Sequence, residues 1–264
     1  MVIQIGNIKY RGSFKSIRQY MNLHDPNSYA GEKGGANGDL IKNNPAFVRK
    51  RENMNEFNGC GLAVKAIRHG LLSLLPEQCD KYFSARLMSI VNCINLHDPD
   101  GIRGKRAIIF TNDRPLLCTI IFNKLEDSAD MLKDQFSWEH PIGRAEATLS
   151  LTALAIKPIF IPAGATHYRV LNHVSIISDY IYNETNRRYE PLSQLNTKSA
   201  FIYSEYTLVG APLTDDLAAA FPTGTTLTDD DTVIQVAGVE FYQKLGTDNY
   251  LPLKGGSMLV IDTF

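Results

Sequence analysis

The chain has 264 residues, of which 27 are basic and 28 acidic, so its formal net charge is -1. Apolar residues make up 44% and charged residues 21%, values that are ordinary for a folded protein and exclude global disorder. The charge is unevenly distributed, because residues 1–110 carry a net +7 and residues 111–264 a net -8. Such an asymmetry between the two halves of a chain indicates an interaction surface.

The sequence predicts neither a membrane-spanning helix nor an export signal. No run of 18 apolar residues occurs, and the first residues lack the basic start and apolar core of a signal peptide. We therefore expect a protein made in the cytoplasm without membrane insertion, whose final location stays open. Cys60, Cys79, Cys93 and Cys118 are spaced like neither a zinc ribbon nor a redox pair, which favours free and mostly buried thiols.

The first 43 residues are predicted to be β-prone. A strand is expected at residues 4–10 and a second extended segment at residues 28–33, separated by basic, aromatic and turn-forming residues. This segment is too short to form a core of its own. We expect it to pair with another part of the chain or with a neighbouring copy.

A basic helical region follows. Asn44 and Pro45 form a helix start signal, and the first helix is expected to run to residue 57, where Gly59-Cys60-Gly61 would break or kink it. Apolar residues at helical spacing predict a second helix over 62–74 and a third over 80–95. Three helices with matched apolar faces predict a small bundle.

After residue 100 the apolar period changes from about 3.6 to 2, which is typical of strands. Strands are predicted at 107–111, 116–123, 148–160, 168–178, 200–209, 233–244 and 251–261. Their spacing favours an antiparallel sandwich of immunoglobulin or fibronectin type. The predicted class is therefore α+β, with a β-prone segment at 1–43, a basic helical domain at 44–110 and an acidic β-sandwich domain at 111–264.

Sequence motifs of known catalytic sites are absent. The chain has no P-loop, no dinucleotide-binding glycine motif, no nucleophile elbow, no zinc-protease motif and no EF-hand loop. The best nucleophile and base candidates are Cys60 and His69, but nine residues of straight helix would hold them roughly 13 Å apart. We therefore expect no enzymatic activity and no cofactor.

Two groups of residues suggest metal ions. The repeated string that contains His24-Asp25 and His97-Asp98 offers imidazole and carboxylate ligands, and the acidic run at residues 229–231 offers oxygen ligands for Ca²⁺. His-Asp followed by Pro is more typical of a turn, and the acidic run lacks the alternating pattern of a calcium loop. We interpret both as structural and predict no metal.

The helical region is basic enough for nucleic acid to be considered. Its cations are Arg49, Lys50, Arg51, Arg68, Arg86, Arg103, Lys105 and Arg106. A phosphate-binding face needs such a cluster. The acidic C-terminal half would repel the same polyanion, so nucleic acid is kept only as an alternative partner.

Several motifs resemble those of an uncharacterised group of Bacteroidota proteins. They are IGNIKY from residue 5, EKGG from residue 32, NPAFVRKREN from residue 44, PAGATHY from residue 162, GVEFYQ from residue 238 and YLPLKGG from residue 250. The resemblance spans nearly the whole chain, except for a longer insert at residues 11–29. It implies a β-prone start, a basic helical region and a β-rich end, and it implies no established activity.

These observations favour a non-catalytic structural protein that self-assembles, head to tail, into a filament or another ordered assembly. An N-terminal strand would add to a neighbour's sheet, and basic and acidic ends would meet. The candidate interface residues are Ile3, Ile5, Ile8, Tyr10, Arg49, Lys50, Arg51, Asp229, Asp230 and Asp231. The expected partners are other copies of the chain, with other structural or surface proteins as further candidates.

Two other interpretations stay open at this point. The sandwich could serve as a binding or adhesion module through exposed aromatic residues such as Tyr180, Tyr182 and Tyr189, since tyrosine is common at interfaces. Alternatively, the oppositely charged halves could attract each other within one monomer.

Overall fold

A computed structural model describes residues 2–21, 25–71, 74, 78–124, 131–132 and 135–264. The chain divides into two compact units, an N-terminal unit of residues 1–51 and a C-terminal unit of residues 52–264. The fold is α+β, as predicted, and combines an N-terminal antiparallel sheet, two main helices and further antiparallel sheets.

The N-terminal unit contains a four-stranded antiparallel sheet with the order β1-β4-β3-β2. Its elements are β1 (Val2–Ile3), β2 (Gly12–Phe14), β3 (Ile17–Met21), β4 (Ser28–Glu32) and the short helix α1 (Gly38–Asn43). The predicted strand at residues 4–10 is wrong, because β1 ends at Ile3 and none of residues 4–10 belongs to a strand. The segment at 28–33 is a strand, and it pairs with β1 and β3 of its own unit.

Two helices dominate the helical region. Helix α2 runs without a break from Val48 to Gly70, and α3 spans Phe83–Leu96. The side chain of Asn44 accepts a hydrogen bond from the amide of Ala46 and caps the 3-10 turn that precedes α2. The three-helix bundle is therefore wrong: the first two predicted helices are one, with Gly59-Cys60-Gly61 inside it. In the described part of the chain, no helix is long and apolar enough to cross a membrane.

The described residues of the C-terminal unit form two sheets and a hairpin. Its elements after α3 are α4 (Arg114–Leu117), β5 (Phe136–Glu139), β6 (Glu146–Leu154), β7 (His167–Ser178), β8 (Tyr180–Asn183), β9 (Arg188–Pro191), β10 (Ser199–Tyr203), β11 (Thr207–Leu208), β12 (Leu213–Ala220), β13 (Asp231–Leu245) and β14 (Asn249–Thr263). The larger sheet has the order β10-β7-β13-β14, with β11 also paired to β7, and the smaller sheet has the order β12-β6-β5. Strands β8 and β9 form a separate hairpin.

Some predicted strands are not strands. Residues 107–111 and 116–123 contribute only single bridges, from Ile108 to Tyr180 and from Ile121 to Leu259. The predicted strand at 148–160 ends at Leu154 and is followed by a 3-10 turn at Pro158–Phe160. The long β7, β13 and β14 lie where apolar alternation placed them.

The larger sheet has cores on both faces. On one face, Leu171 and Val236 belong to a core cluster with Ile67 and Leu87 of the helices. On the other face, the smaller sheet contributes its side chains to a second cluster with β7 and β13. The division into 1–43, 44–110 and 111–264 stays a prediction, although the first cluster joins residues from both sides of position 110.

Candidate functional site

The sheet of the N-terminal unit carries exposed apolar side chains. Phe14 pairs with Ile17, and side-chain alternation along β3 places Met21 on the same face. Phe14 is 69% exposed and Ile17 44%. Among the described residues of this unit, only Ser28 is buried. The unit therefore leaves most of its apolar surface in contact with water.

The predicted apolar interface residues lie beside this sheet. Ile3 is in β1 and pairs with Tyr29, whereas Ile5, Ile8 and Tyr10 lie on the loop that follows. Gln4 closes this loop: its side-chain oxygen accepts a hydrogen bond from the Tyr10 amide at 3.0 Å. Ile5 is 97% exposed, so the loop presents apolar side chains rather than burying them.

The three predicted basic residues at the start of α2 have different surroundings. Arg49 and Lys50 are exposed. Arg51 is half-buried and donates hydrogen bonds to the carbonyl oxygens of Ile41 at 2.7 Å and Asn44 at 2.9 Å. Arg51 therefore holds the end of α1, and the exposed positive charge at this point comes from the other two.

The predicted acidic residues also separate into two kinds. Asp229 and Asp230 are exposed. Asp231 is fully buried, and its carboxylate accepts hydrogen bonds from the Thr228 amide at 2.8 Å and the Thr228 hydroxyl at 2.9 Å. The sequence pattern predicted three equivalent acids, but the start of β13 buries the third. Asp231 cannot meet a partner in this fold.

The thiols do not supply a nucleophile at the predicted position. Cys60 is buried inside the helix-facing core, and burial together with nearby Glu56 raises the pKa of its thiol to about 12. His69 is exposed on α2. All four cysteines are free, but Cys93 and Cys118 are exposed, so the expectation that most are buried is wrong for these two.

The metal candidates are held by other contacts where they are described. The Nδ1 atom of His97 is hydrogen-bonded to the carboxylate of Asp113 at 2.8 Å, and Asp98 accepts a hydrogen bond from the Ala107 amide at 2.7 Å. His24 lies outside the described residues. Across the described ranges, no three His, Cys, Asp or Glu side chains converge as metal ligands would.

The basic residues of the helical region are largely paired within the C-terminal unit. Arg86 pairs with Asp80, Arg103 with Glu52, Lys105 with Glu184, and Arg106 with Glu56. These carboxylates neutralise four of the cations that suggested a phosphate-binding face. The arrangement therefore weakens the case for nucleic acid.

A cluster that the sequence did not predict lies on the larger sheet, and we name it the Tyr–Arg cluster. Arg169 of β7 is opposite Glu240 of β13 and forms an ion pair with it at 3.1 Å. The guanidinium carbon of Arg169 lies 3.5 Å from the ring centre of Tyr203 and 5.0 Å from that of Tyr242. The Tyr242 hydroxyl donates to Glu240.

The rings of the Tyr–Arg cluster extend toward the end of the sheet. Tyr206 stacks on Tyr250 with ring centres 3.8 Å apart. Burial and the Glu240 carboxylate raise the pKa of Tyr203 to about 12. Tyrosine and arginine are enriched in the energetically dominant parts of protein interfaces. Alternation along β13 places Glu240 and Tyr242 on one face, but only the register with β7 brings Arg169 to them.

The aromatic residues proposed for adhesion are less accessible than expected. Tyr180 and Tyr189 are buried and belong to the helix-facing core cluster, and Tyr182 packs edge-on against Tyr189. Burial raises the pKa of both Tyr180 and Tyr189. They shape the interior surface between α2 and the β8–β9 hairpin rather than an exposed face.

Comparison of the chain with protein-family models, with curated proteins and with solved structures gives no match.

Proposed function

We propose that this chain is a non-catalytic structural protein that self-associates head to tail into a filament or another ordered assembly. The observation that carries the proposal is the N-terminal unit, whose sheet exposes Phe14, Ile17 and Met21 and whose only buried described residue is Ser28. A sheet of short strands needs an apolar face packed against something to be stable. A neighbouring copy would supply that cover.

The distribution of charge supports contact between unlike ends of two copies. Residues 1–51 contain 9 basic and 3 acidic side chains, a net +6, and residues 52–264 contain 18 basic and 25 acidic, a net -7. The two compact units therefore carry opposite net charges. Opposite charge favours contact between different surfaces of two copies, and such contacts produce open polymers when they do not close.

An edge for strand addition is available on the C-terminal unit. Strand β14 is 15 residues long and pairs with β13 on one side. On its other side, the described residues contribute a single bridge, from Ile121 to Leu259. An edge strand with unpaired amides and carbonyls accepts a strand from another chain. Leu251, about half exposed near the start of β14, adds apolar surface there.

The first experiment measures assembly directly. Sedimentation velocity and negative-stain electron microscopy of the full chain are compared at about 50 mM and about 500 mM NaCl, because salt screens exposed charges over a Debye length. Filaments or regular particles that shorten at high salt are expected. A monodisperse monomer at every salt and protein concentration would contradict the proposal and favour attraction within one chain.

Substitutions then test the apolar surface. Phe14→Ser combined with Ile17→Ser is expected to reduce assembly strongly, since it removes the exposed apolar surface that another copy would cover. Ile142→Ser is the matched control, because Ile142 is a fully exposed apolar side chain on the C-terminal unit. Equal assembly by both variants would exclude the N-terminal sheet as the connector.

Charge reversal tests whether the two predicted charged groups meet. Lys50→Glu is expected to weaken assembly, and adding Asp229→Lys and Asp230→Lys to the same chain is expected to restore it. Restoration by a second reversal is specific to groups that interact. If the combined variant assembles less than Lys50→Glu alone, these residues are not partners across the interface.

A binding module is the second candidate, and the Tyr–Arg cluster favours it. Arg169 is partly exposed and lies among three tyrosine rings, and arginine and tyrosine are the residue types that dominate interfaces. Arg169→Ala should abolish capture of a partner protein while leaving self-assembly intact if this candidate is right. If it abolishes self-assembly instead, the cluster belongs to the first proposal.

Several finer expectations accompany the proposal. The two sheets of the C-terminal unit are proposed to correspond to the immunoglobulin- or fibronectin-like sandwich, supported by the core cluster that they share. The resemblance to the Bacteroidota group is likewise proposed, supported by the motifs.

A further inference from the structure

A pocket lies between α2 and the β8–β9 hairpin, inside the C-terminal unit and separate from the surfaces proposed for assembly. Its volume is about 400 Å³, which is within the range of small-molecule sites. Leu62 and Ala66 of α2 form one wall, and Pro191 at the end of β9 forms another. We propose that this pocket binds a small organic carboxylate with an apolar body.

The side chains that line the pocket determine which ligand charge it favours. Lys65 and His69 are exposed, lie one helical turn apart on α2 and both line the pocket. The described lining residues include no Asp or Glu. In the described part of the chain, neither side chain forms an ion pair or a hydrogen bond. Lys65 therefore gives the pocket a positive charge, and the His69 ring adds a hydrogen-bonding group, for an anionic head group.

The two tyrosines of the pocket have different roles. The Tyr189 hydroxyl donates to the carbonyl of Arg106 at 2.9 Å, so Tyr189 offers its ring as apolar surface. The Tyr180 hydroxyl accepts a hydrogen bond from the Asn196 side chain at 2.7 Å. Its own proton is then free to donate to a carboxylate oxygen, because a phenol can accept and donate together.

The backbone at the rim of the pocket is strained. Thr197 lines the pocket and has a φ of 75°, which is a rare conformation for a β-branched residue. Its amide donates a hydrogen bond to the carbonyl of Ile176 in β7 at 2.9 Å, which holds this part of the turn against the sheet. Such strain costs on the order of 1–3 kcal/mol and is concentrated at ligand-binding positions.

The test uses 3-phenylpropionate and its uncharged amide, 3-phenylpropionamide, as probes in calorimetric titrations of the full chain. The acid is expected to bind more tightly than the amide. Lys65→Gln is expected to weaken the acid about three- to fivefold, and Lys65→Gln with His69→Gln about tenfold, without changing the amide. Arg68→Gln is the matched control, because Arg68 is an exposed cation of α2 outside this pocket.

A second variant locates the probe. Leu62→Trp places a large ring at the partly exposed wall and is expected to abolish binding of both probes, with folding confirmed by circular dichroism. Equal binding of acid and amide, or an unchanged acid affinity in the double glutamine variant, would overturn the carboxylate assignment. Unchanged binding in Leu62→Trp would overturn the location. These results are independent of self-assembly.

Discussion

The ring of Tyr189 lies directly against the backbone of α2 at Gly59, where a Cβ atom would be 2.5 Å from two of its ring carbons. No real side chain tolerates that distance, so glycine is required there by the approach of the β8–β9 hairpin. The same ring forms part of the pocket wall. The absence of a side chain at Gly59 therefore allows the β8–β9 hairpin to pack against an unbroken α2, and this packing sets the shape of the candidate ligand site.

Gly59→Ala is expected to lower the free energy of unfolding by about 1–3 kcal/mol, because the new methyl group forces the Tyr189 ring to move in a packed core. Gly61→Ala is its control two residues away, where a Cβ would be 3.7 Å from the Met88 side chain, an ordinary contact. That variant should be neutral or more stable by up to about 1 kcal/mol through helix propensity. Urea unfolding of both variants checks the pair; equal effects would contradict the assignment.

Sequence patterns predicted the long strands and helices well. They did not predict the tertiary contacts that explain why a particular residue occupies its position. Alternation identified β7 and β13 because both are buried strands of the larger sheet, and the helical period identified α3. Gly59 was interpreted as a helix break because its packing partner is 130 positions away in the sequence. A local pattern contains no information about such a partner.

In the candidate site too, features that depend on local sequence were predicted and features that depend on tertiary contacts were not. The uneven charge was visible in the sequence, and the two compact units, which divide after Arg51, also differ in the sign of their net charge. The Tyr–Arg cluster was not visible, because Arg169 and Glu240 meet only through the register of β7 and β13. Burial of Asp231 was also invisible, since three consecutive aspartates look alike in a sequence.

His173 should make stability depend on pH. It is fully buried on β7, and burial lowers its pKa from 6.5 to about 4. As the pH falls below 6.5, the unfolded chain binds a proton at this residue before the folded chain does, so stability is lost between pH 6.5 and about 4. The full contribution is about 3 kcal/mol, of which about 2 kcal/mol is lost by about pH 5.

The comparison is between the wild type and His173→Gln, each unfolded with urea at about pH 7.5 and about pH 5. The wild type should lose about 2 kcal/mol more than the variant on acidification, since groups titrating elsewhere cancel in the difference. Parallel pH dependences of the two proteins would show that His173 is not the titrating group.

Asn172 connects the two sheets of the C-terminal unit. Its fully buried side chain donates to the carbonyls of Ala147 on β6 at 2.8 Å and Leu217 on β12 at 2.7 Å, and it accepts from Gln235 at 3.0 Å. Asn172→Asp keeps the shape but replaces both donors with a buried charge facing two carbonyl oxygens. We expect a loss of about 3 kcal/mol or more.

Thermal and urea unfolding measure this loss, with Asn58→Asp as the control because Asn58 is exposed on α2. The control should change stability by less than about 0.5 kcal/mol. If the two variants are equally stable, the side chain of Asn172 does not hold the sheets together.

The three consecutive aspartates at the start of β13 give a prediction that separates folding from assembly. Asp231→Ala removes the acceptor for the Thr228 amide and hydroxyl, and should cost about 1–3 kcal/mol of unfolding free energy. Asp229→Ala and Asp230→Ala alter exposed side chains and should change stability by less than about 0.5 kcal/mol.

If the proposed interface is right, the Asp229→Ala and Asp230→Ala variants instead weaken assembly at low salt, where exposed charges are least screened. Calorimetry and sedimentation of the three single variants measure the two effects separately. A stable Asp231→Ala protein would contradict the structural role, and full assembly by the other two would remove the acidic run from the interface.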